Sequence, residues 1–317
     1  MPHEIENMFS VRETPWHKLG AIVHEAPTAA DAIRLAGLDW SVRTEPLQIV
    51  SDGRPVQARA VVRDSDGSIL GHHVGAGWTP LQNRDAFSWF DPFIQSGDCA
   101  FETAGSLQSG RRVWVLARIN RAPAEIGPGG EVRQYLLLSN SHDGTLAVRV
   151  GFTPIRVVCA NTMAVAHSHS ASALLRVRHT RGVVDVLART REVIDAVAGE
   201  FEATAQQYRF LASRGVNRAD LRKYVRRVLG LTEAEGNGQL RKRSADTESA
   251  VLERFDSGLG ANLPSARGTW WGGYNALTEF LSYARGRSAD NRLNSLWFGD
   301  AARINRDALA VALQMAA

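Results

Sequence analysis

Six consecutive residues, Ser139-Asn140-Ser141-His142-Asp143-Gly144, hold the densest set of proton-transfer and hydrogen-bonding groups in this 317-residue chain. Here His142 could serve as a general base, Asp143 could orient it, and Asn140 could donate hydrogen bonds. With Arg156 gripping a phosphate, His142 and Asp143 would make a nuclease or other phosphate-ester hydrolase. The same letters have a plainer use. Asp-Gly is what a tight turn requires, and the side chains of adjacent residues diverge, so the turn is the preferred reading.

A second set lies just beyond. Arg149, Arg156 and Asn161 flank Pro154, and Thr153-Pro154 reads as the cap and first turn of a helix running through Ile155, Val158, Thr162 and Val165. A helix start beside two arginines could hold a phosphate. Equally, the three polar side chains could satisfy buried backbone carbonyls between sheet and helix.

Other catalytic spacings are missing from the sequence. It contains no G-x-x-x-x-G-K-[ST] loop, G-x-S-x-G elbow, H-E-x-x-H or paired C-x-x-C. His72-His73 would point to opposite faces of a strand. His167 and His169 could share a face but have no nearby carboxylate in sequence. No metal or cofactor is therefore expected.

The cations follow a different pattern. Residues 1–150 hold 14 Lys/Arg against 17 Asp/Glu, whereas residues 151–317 hold 23 against 16. Such asymmetry suggests a polyanionic partner for the second half, set against the alternative of a solvated Arg-rich surface. The residues read as nucleic-acid-binding are Lys18, Arg111, Arg112, Arg149, Arg156, Arg222, Lys223, Arg226, Arg227, Arg241, Lys242 and Arg243. Trp16-His17-Lys18, Arg111-Arg112-Val113-Trp114 and Tyr208-Arg209-Phe210 interleave aromatic with basic side chains, as single-strand binders do. Most tryptophans nevertheless serve packing, and Trp270-Trp271 between glycines reads as a core anchor.

The elements that must position these groups read as α+β. Residues 1–180 are expected to form antiparallel β-meander sheets with packed helices, and residues 181–317 a mainly helical, basic region. Thr28 caps a short helix ending near Gly37. Trp40–Val50, Gln57–Arg63 and Ile69–Gly75 read as three strands joined by Ser51-Asp52-Gly53 and Asp64-Ser65-Asp66-Gly67 turns. Asn83–Phe93 reads as one helix. Phe101–Ala104, Arg112–Ile119, Tyr135–Leu138, Leu146–Phe152 and Leu174–His179 read as further strands, with a Gly/Pro loop over Ala122–Gly130.

From Val183 the apolar period becomes helical. Val183, Leu187, Thr190, Ile194, Val197, Phe201, Thr204, Tyr208 and Leu211 form a heptad seam that packs on its own domain or self-associates, the former being preferred because the threonines dilute it. Arg218–Leu229 is a basic helix, Glu235–Arg243 a polar loop, and Thr269–Phe280 and Ala301–Met315 are helical.

With 44% hydrophobic and 22% charged residues, the chain buries an ordinary core. No apolar run is long enough to cross a membrane, and residues 1–6 do not read as a secretory signal. Two cysteines, Cys99 and Cys159, cannot build a disulfide framework, so a reducing cytoplasmic setting is expected.

Several segments together resemble a phage/plasmid-like family carrying a domain of unknown function, of the actinobacterial phage and mobile-element type. They are Pro15–Gly20, Thr103–Leu107, Arg111–Ala117, Leu137–Gly144, Thr153–Thr162 and Trp271–Glu279. The resemblance spans nearly the whole chain and assigns no catalytic residue. Its order of a meander followed by helices is similar, by fold-level analogy, to phage single-strand annealing proteins of the RecT and Erf kind. The expectation is a single-stranded-DNA-binding annealing or recombination accessory protein, homo-oligomeric and acting without bond chemistry. The alternatives are the His142-Asp143 hydrolase and a structural or host-takeover assembly protein.

Overall fold

The structure is a computed structural model that describes residues 5–11, 21–23, 27–156, 174–231, 240–286, 295–296 and 299–317. It is α+β, with an antiparallel-rich sheet in the N-terminal half and helices in the C-terminal half. The chain divides into two compact units, Met1–Arg121 with Tyr135–Phe152 and Ser172–Ala198, and Ala122–Gln134 with Thr153–Ala171 and Gly199–Ala317.

The larger sheet is built from β1 (Ile5–Val11), β2 (Ala21–Val23), β6 (Cys99–Leu107), β7 (Arg112–Ile119), β8 (Ala124–Gly127), β9 (Gly130–Ser141), β10 (Val148–Arg156) and β11 (Leu174–Val177). Its order is β11-β10-β9-β7-β6-β1-β2, with β8 paired to β9 and only β1–β2 parallel among the registers described. The smaller sheet is the expected meander, β3 (Val42–Gln48), β4 (Pro55–Arg63) and β5 (Ile69–Gly75). Gly53 and Gly67 take φ of +72° in its two turns, a conformation glycine adopts without strain.

Three short helices accompany the sheets: α1 (Ala29–Leu35), α2 (Asn83–Ser88) and α3 (Asp91–Gln95). The hydroxyl of Thr28 accepts from the Asp31 amide and starts α1 as expected. The single helix expected over Asn83–Phe93 is instead two, because Pro92 has no N–H to continue the ladder. Phe9, Phe87, Trp89, Phe90 and Phe101 fill the core beneath, and Trp89 Nε1 donates to the Leu187 carbonyl at 2.9 Å.

Two further expectations in this half are corrected. Residues 153–156 continue strand β10 rather than opening a helix at Pro154. Pro154 lies past Gly151, the last residue registered with β11, so its missing N–H breaks no bond of that pair; Val157–Val165 lie outside the described residues. The Ala122–Gly130 loop contains β8, which folds back on β9 through Gly129 at φ +76°. Strands β1 and β2 had no counterpart in the sequence reading.

The helices of the C-terminal half are α4 (Val183–Ser213), α5 (Arg218–Leu229), α6 (Lys242–Ser257), α7 (Trp270–Tyr283) and α8 (Asp300–Ala316). Among the seam positions of α4, Val183, Leu187, Thr190, Tyr208 and Leu211 are buried within this single chain. The side chains of Ile194 and Val197 lie outside those described. Helix α6 was not foreseen, and Lys242 and Arg243 belong to it rather than to a loop. Helix α7 is the most deeply buried, with Trp271 4.6 Å from the Tyr208 ring and Trp270 edge-on to Tyr224. A Cβ on Gly272 would stand 2.0 Å from the Ala266 carbonyl oxygen, so no other residue fits there.

Leu187→Ala is expected to cost about 2–5 kcal/mol of unfolding free energy, as buried leucine truncations do. Gly272→Ala should be at least as damaging. Urea denaturation combined with light scattering checks both. A Leu187→Ala protein of unchanged stability but smaller mass would place the seam between chains instead.

Candidate functional site

The Ser139–Gly144 segment ends β9, where the register sets Arg112 opposite Ser141 and Val113 opposite Asn140. Asp143 closes the turn: its Oδ1 accepts from the Ser141 hydroxyl and from the Thr145 amide, the latter at 2.9 Å. Gly144 follows at φ +75°, pressed against Val74. Asn140 donates to the Leu81 carbonyl at 3.0 Å. The Asp-Gly pair therefore builds a turn, and Asp143 Oδ1 serves it.

His142 is fully buried. Its Nε2 lies 2.9 Å from Asn83 Oδ1, while Asn83 Nδ2 donates to the Leu38 and Trp40 carbonyls at 3.1 and 3.2 Å. Those two donations fix the carboxamide, so its oxygen can only accept and Nε2 must carry the imidazole proton. The neighbouring Gln82 bonds Val42 through both its amide atoms, at 2.9 and 2.8 Å, as an adjacent strand would. Trp40 packs on the His142 ring at 5.3 Å, and the Arg63 guanidinium stands 4.4 Å over Trp40 while donating to the Ser109 carbonyl. Nearby, His179 stacks on Trp78 at 4.9 Å and, through Nδ1, donates to the Thr79 carbonyl at 3.1 Å.

Burial pushes the His142 imidazole down to about 3, His179 and Arg63 add to the shift, and Asp143 opposes it. Burial likewise lowers His179, against its bonds to the Thr79 and Leu146 backbone and the pull of Asp143. Both rings are therefore held neutral. His142 and Asp143 share no hydrogen bond among those described, and the imidazole faces the interior rather than a solvent-filled cleft. This geometry gives His142 the role of a lock between α2, the start of β3 and the end of β9. Asn83, Trp40, Arg63 and His179 were not singled out from sequence; they lie 37 to 102 residues from His142 and no short spacing could have joined them.

The nucleic-acid candidates fall into separate groups. In the first unit, Arg111 and Arg112 flank the 143–145 turn, with Arg112 Nη2 3.4 Å from the Thr145 hydroxyl, and Arg149 is registered opposite Arg176. Arg156 belongs to β10, with its side chain outside those described, and Lys18 lies outside the described residues. In the second unit the basic face of α5 is matched by carboxylates. Arg218 makes two 2.7 Å bonds to Asp256, Lys223 meets Asp220 at 3.0 Å, and Arg222 and Arg226 both reach the buried Glu248. Arg227 donates to Gln314 at 2.7 Å.

Arg241, Lys242 and Arg243 differ. All three are exposed at the opening of α6, where Arg241 occupies the cap position without a side-chain cap bond. Among the described residues no carboxylate lies within ion-pair reach of them. Of the interleaved aromatics, Trp114 and Tyr208 are buried in the core, which corrects the base-stacking expectation for those two. Among the described residues no three His, Cys, Asp or Glu side chains gather as metal ligands, and no helix is long and apolar enough to cross a membrane.

The neutral histidines make a pH prediction. Unfolded imidazole titrates near 6.5, whereas folded His142 resists protonation to about 3. The unfolded chain thus takes up the extra proton between these values. Stability is complete above pH 6.5 and is lost as pH falls, by up to about 1.4 kcal/mol per unit from this one group. His179 acts in the same direction. Urea titrations at pH 7 and pH 5, above the carboxylate range, should show this loss, and His142→Asn should flatten it while lowering stability at pH 7. A wild type equally stable at both would contradict the neutral lock.

Comparison with known proteins places the chain in a family. Residues 71–297 match the model described as a domain of unknown function, DUF932. No curated protein and no solved structure matches the chain. The matched span runs from β5 past α7, includes the His142 turn and the opening of α6, and covers more than half of the sequence. The chain belongs to the DUF932 family.

Proposed function

We propose that this is a nucleic-acid-binding protein of a phage or mobile element, acting on single-stranded DNA as an annealing or recombination accessory without making or breaking bonds. The observation that carries the proposal is the opening of α6. Cations at a helix N-terminus oppose the helix dipole, at a cost of about 0.3–1 kcal/mol each. Arg241, Lys242 and Arg243 stand there together, exposed, while four of the five neighbouring α5 cations are met by Asp256, Asp220 and Glu248. An anionic partner relieves that arrangement, and a phosphodiester backbone supplies anions in series. The charge excess of the second half of the sequence supports the same reading. Weak contacts of this kind gain strength by repetition, so the working form is a homo-oligomer.

The test is a mobility-shift titration with single- and double-stranded oligonucleotides, with and without a divalent metal. If about five phosphates are neutralised, log K should fall against log salt with a slope near −3.5, at roughly −0.7 per phosphate on a single strand. Replacing Arg241, Lys242 and Arg243 with Gln together should bring the slope to about −1.4. Salt-independent binding would overturn the proposal, and metal-dependent cleavage would replace it with a hydrolase.

A further inference from the structure

The meander is held at one end and free at the other. At its base Gln82 bonds Val42, Asn83 bonds the stretch before it, and Arg63 reaches the Ser109 carbonyl. At the far end ten residues in a row, Gln48–Gln57, are exposed. They are nevertheless ordered as a hairpin. The Ile49 and Gly53 amides donate to the Arg54 and Ile49 carbonyls, each at 2.8 Å, and the Arg54 amide donates to Asp52 Oδ1 at 3.1 Å. Ile49, Val50 and Val56 gather at this tip, where Gln48 is registered opposite Pro55, and are 37%, 100% and 43% exposed. We propose that the tip of the β3–β4 hairpin is a self-association surface, at which two copies of this chain meet about a two-fold axis and bury these three side chains against their counterparts.

The side edge of β3 disfavours an added strand. The Val42 amide donates to Gln82 and the Val42 carbonyl accepts from it, so the alternate residues Val42, Thr44 and Pro46 face away from β4. Arg59 donates to the Thr44 carbonyl at 3.1 Å, and Pro46 has no N–H. An edge occupied in this way resists pairing along its length and leaves the tip for contact through side chains.

Charge selects the partner. The ionic side chains of the tip, Asp52 and Arg54, pair with each other at 2.6 Å and cancel. The tip therefore attracts neither a polyanion nor an anionic lipid surface. A second copy matches it. A two-fold axis passing near Gly53 sets Asp52 of one copy against Arg54 of the other, and Arg54 against Asp52, so the surface is complementary to itself. Three apolar side chains and one turn bury less than the roughly 800 Å² per partner of a standard stable interface. The association is accordingly reversible and concentration-dependent.

This surface rests on the homo-oligomeric form proposed above and gives it a stoichiometry. An isologous contact closes on itself, so the tip makes dimers rather than filaments. Two copies of the α6 opening in one particle would then grip a strand twice.

Sedimentation velocity on the full chain, from low micromolar to submillimolar concentration, should show a mass rising from one chain to two. Val50→Asp should raise the dissociation constant at least about tenfold. Its circular dichroism melt should match the wild type, because a fully exposed side chain holds nothing in the fold. Asp52→Arg and Arg54→Asp should each weaken association alone, and mixing the two variants should restore it. A wild-type oligomer whose mass is unchanged in Val50→Asp and in Ile49→Ser overturns the tip assignment and leaves the homo-oligomer reading intact. A wild type that is monomeric at every concentration, with or without oligonucleotide, overturns both. Flotation with phosphatidylcholine vesicles that Val50→Asp abolishes, without dimerisation, replaces the second copy with a lipid surface and overturns the proposal.

Discussion

A neutral imidazole donating to a carboxamide inside the protein joins three stretches of the first unit that are far apart in sequence. His142 ends a sheet strand, Asn83 begins a helix, and Asn83 in turn holds the carbonyls of Leu38 and Trp40 ahead of the meander. Buried polar groups cost several kcal/mol when their partners are lost, so none of the three stretches can shift without exposing or orphaning the others. Gln82 adds two bonds to Val42, and Arg63 over Trp40 closes the group from the other side. The residues that look most chemical in the sequence are thus spent on holding the meander in place.

In the second unit close backbone approach plays the comparable part. Gly272 lets α7 lie against the Ala266 carbonyl, and Trp270 and Trp271 then fill the space between α7 and the residues Tyr208 and Tyr224. With α7 fixed, α5 and α6 meet through Glu248, which is buried between Arg222 and Arg226. That pairing engages two of the five cations of α5. The cations at the start of α6 stay exposed.

Much of the fold was legible because the signals are local. Asp-Gly turns delimited the meander, Thr28 with Asp31 marked α1, and the heptad spacing marked α4. Helix α6 was illegible because its buried side includes Glu248 as well as Val251 and Leu252, which breaks the apolar period. The helix expected at Pro154 failed because proline is equally at home in a strand segment outside the β11 register. For the candidate site, the turn role of Asp143-Gly144 could be read from two letters, whereas the burial of His142 depends on Trp40, Asn83 and His179. Basic residues could be counted from sequence but not sorted, since the carboxylates that neutralise Arg218 and Arg226 lie on another helix.

The account places single-stranded DNA at the opening of α6, and photo-crosslinking tests that placement directly. An oligonucleotide carrying a photoreactive thymine analogue, irradiated with the full chain at low salt and digested, should leave its adducts on peptides spanning residues 240–250. Adducts confined to the Arg111–Arg112 and Arg149 strands of the first unit, or none at all under conditions where a known single-strand binder is labelled, would contradict it.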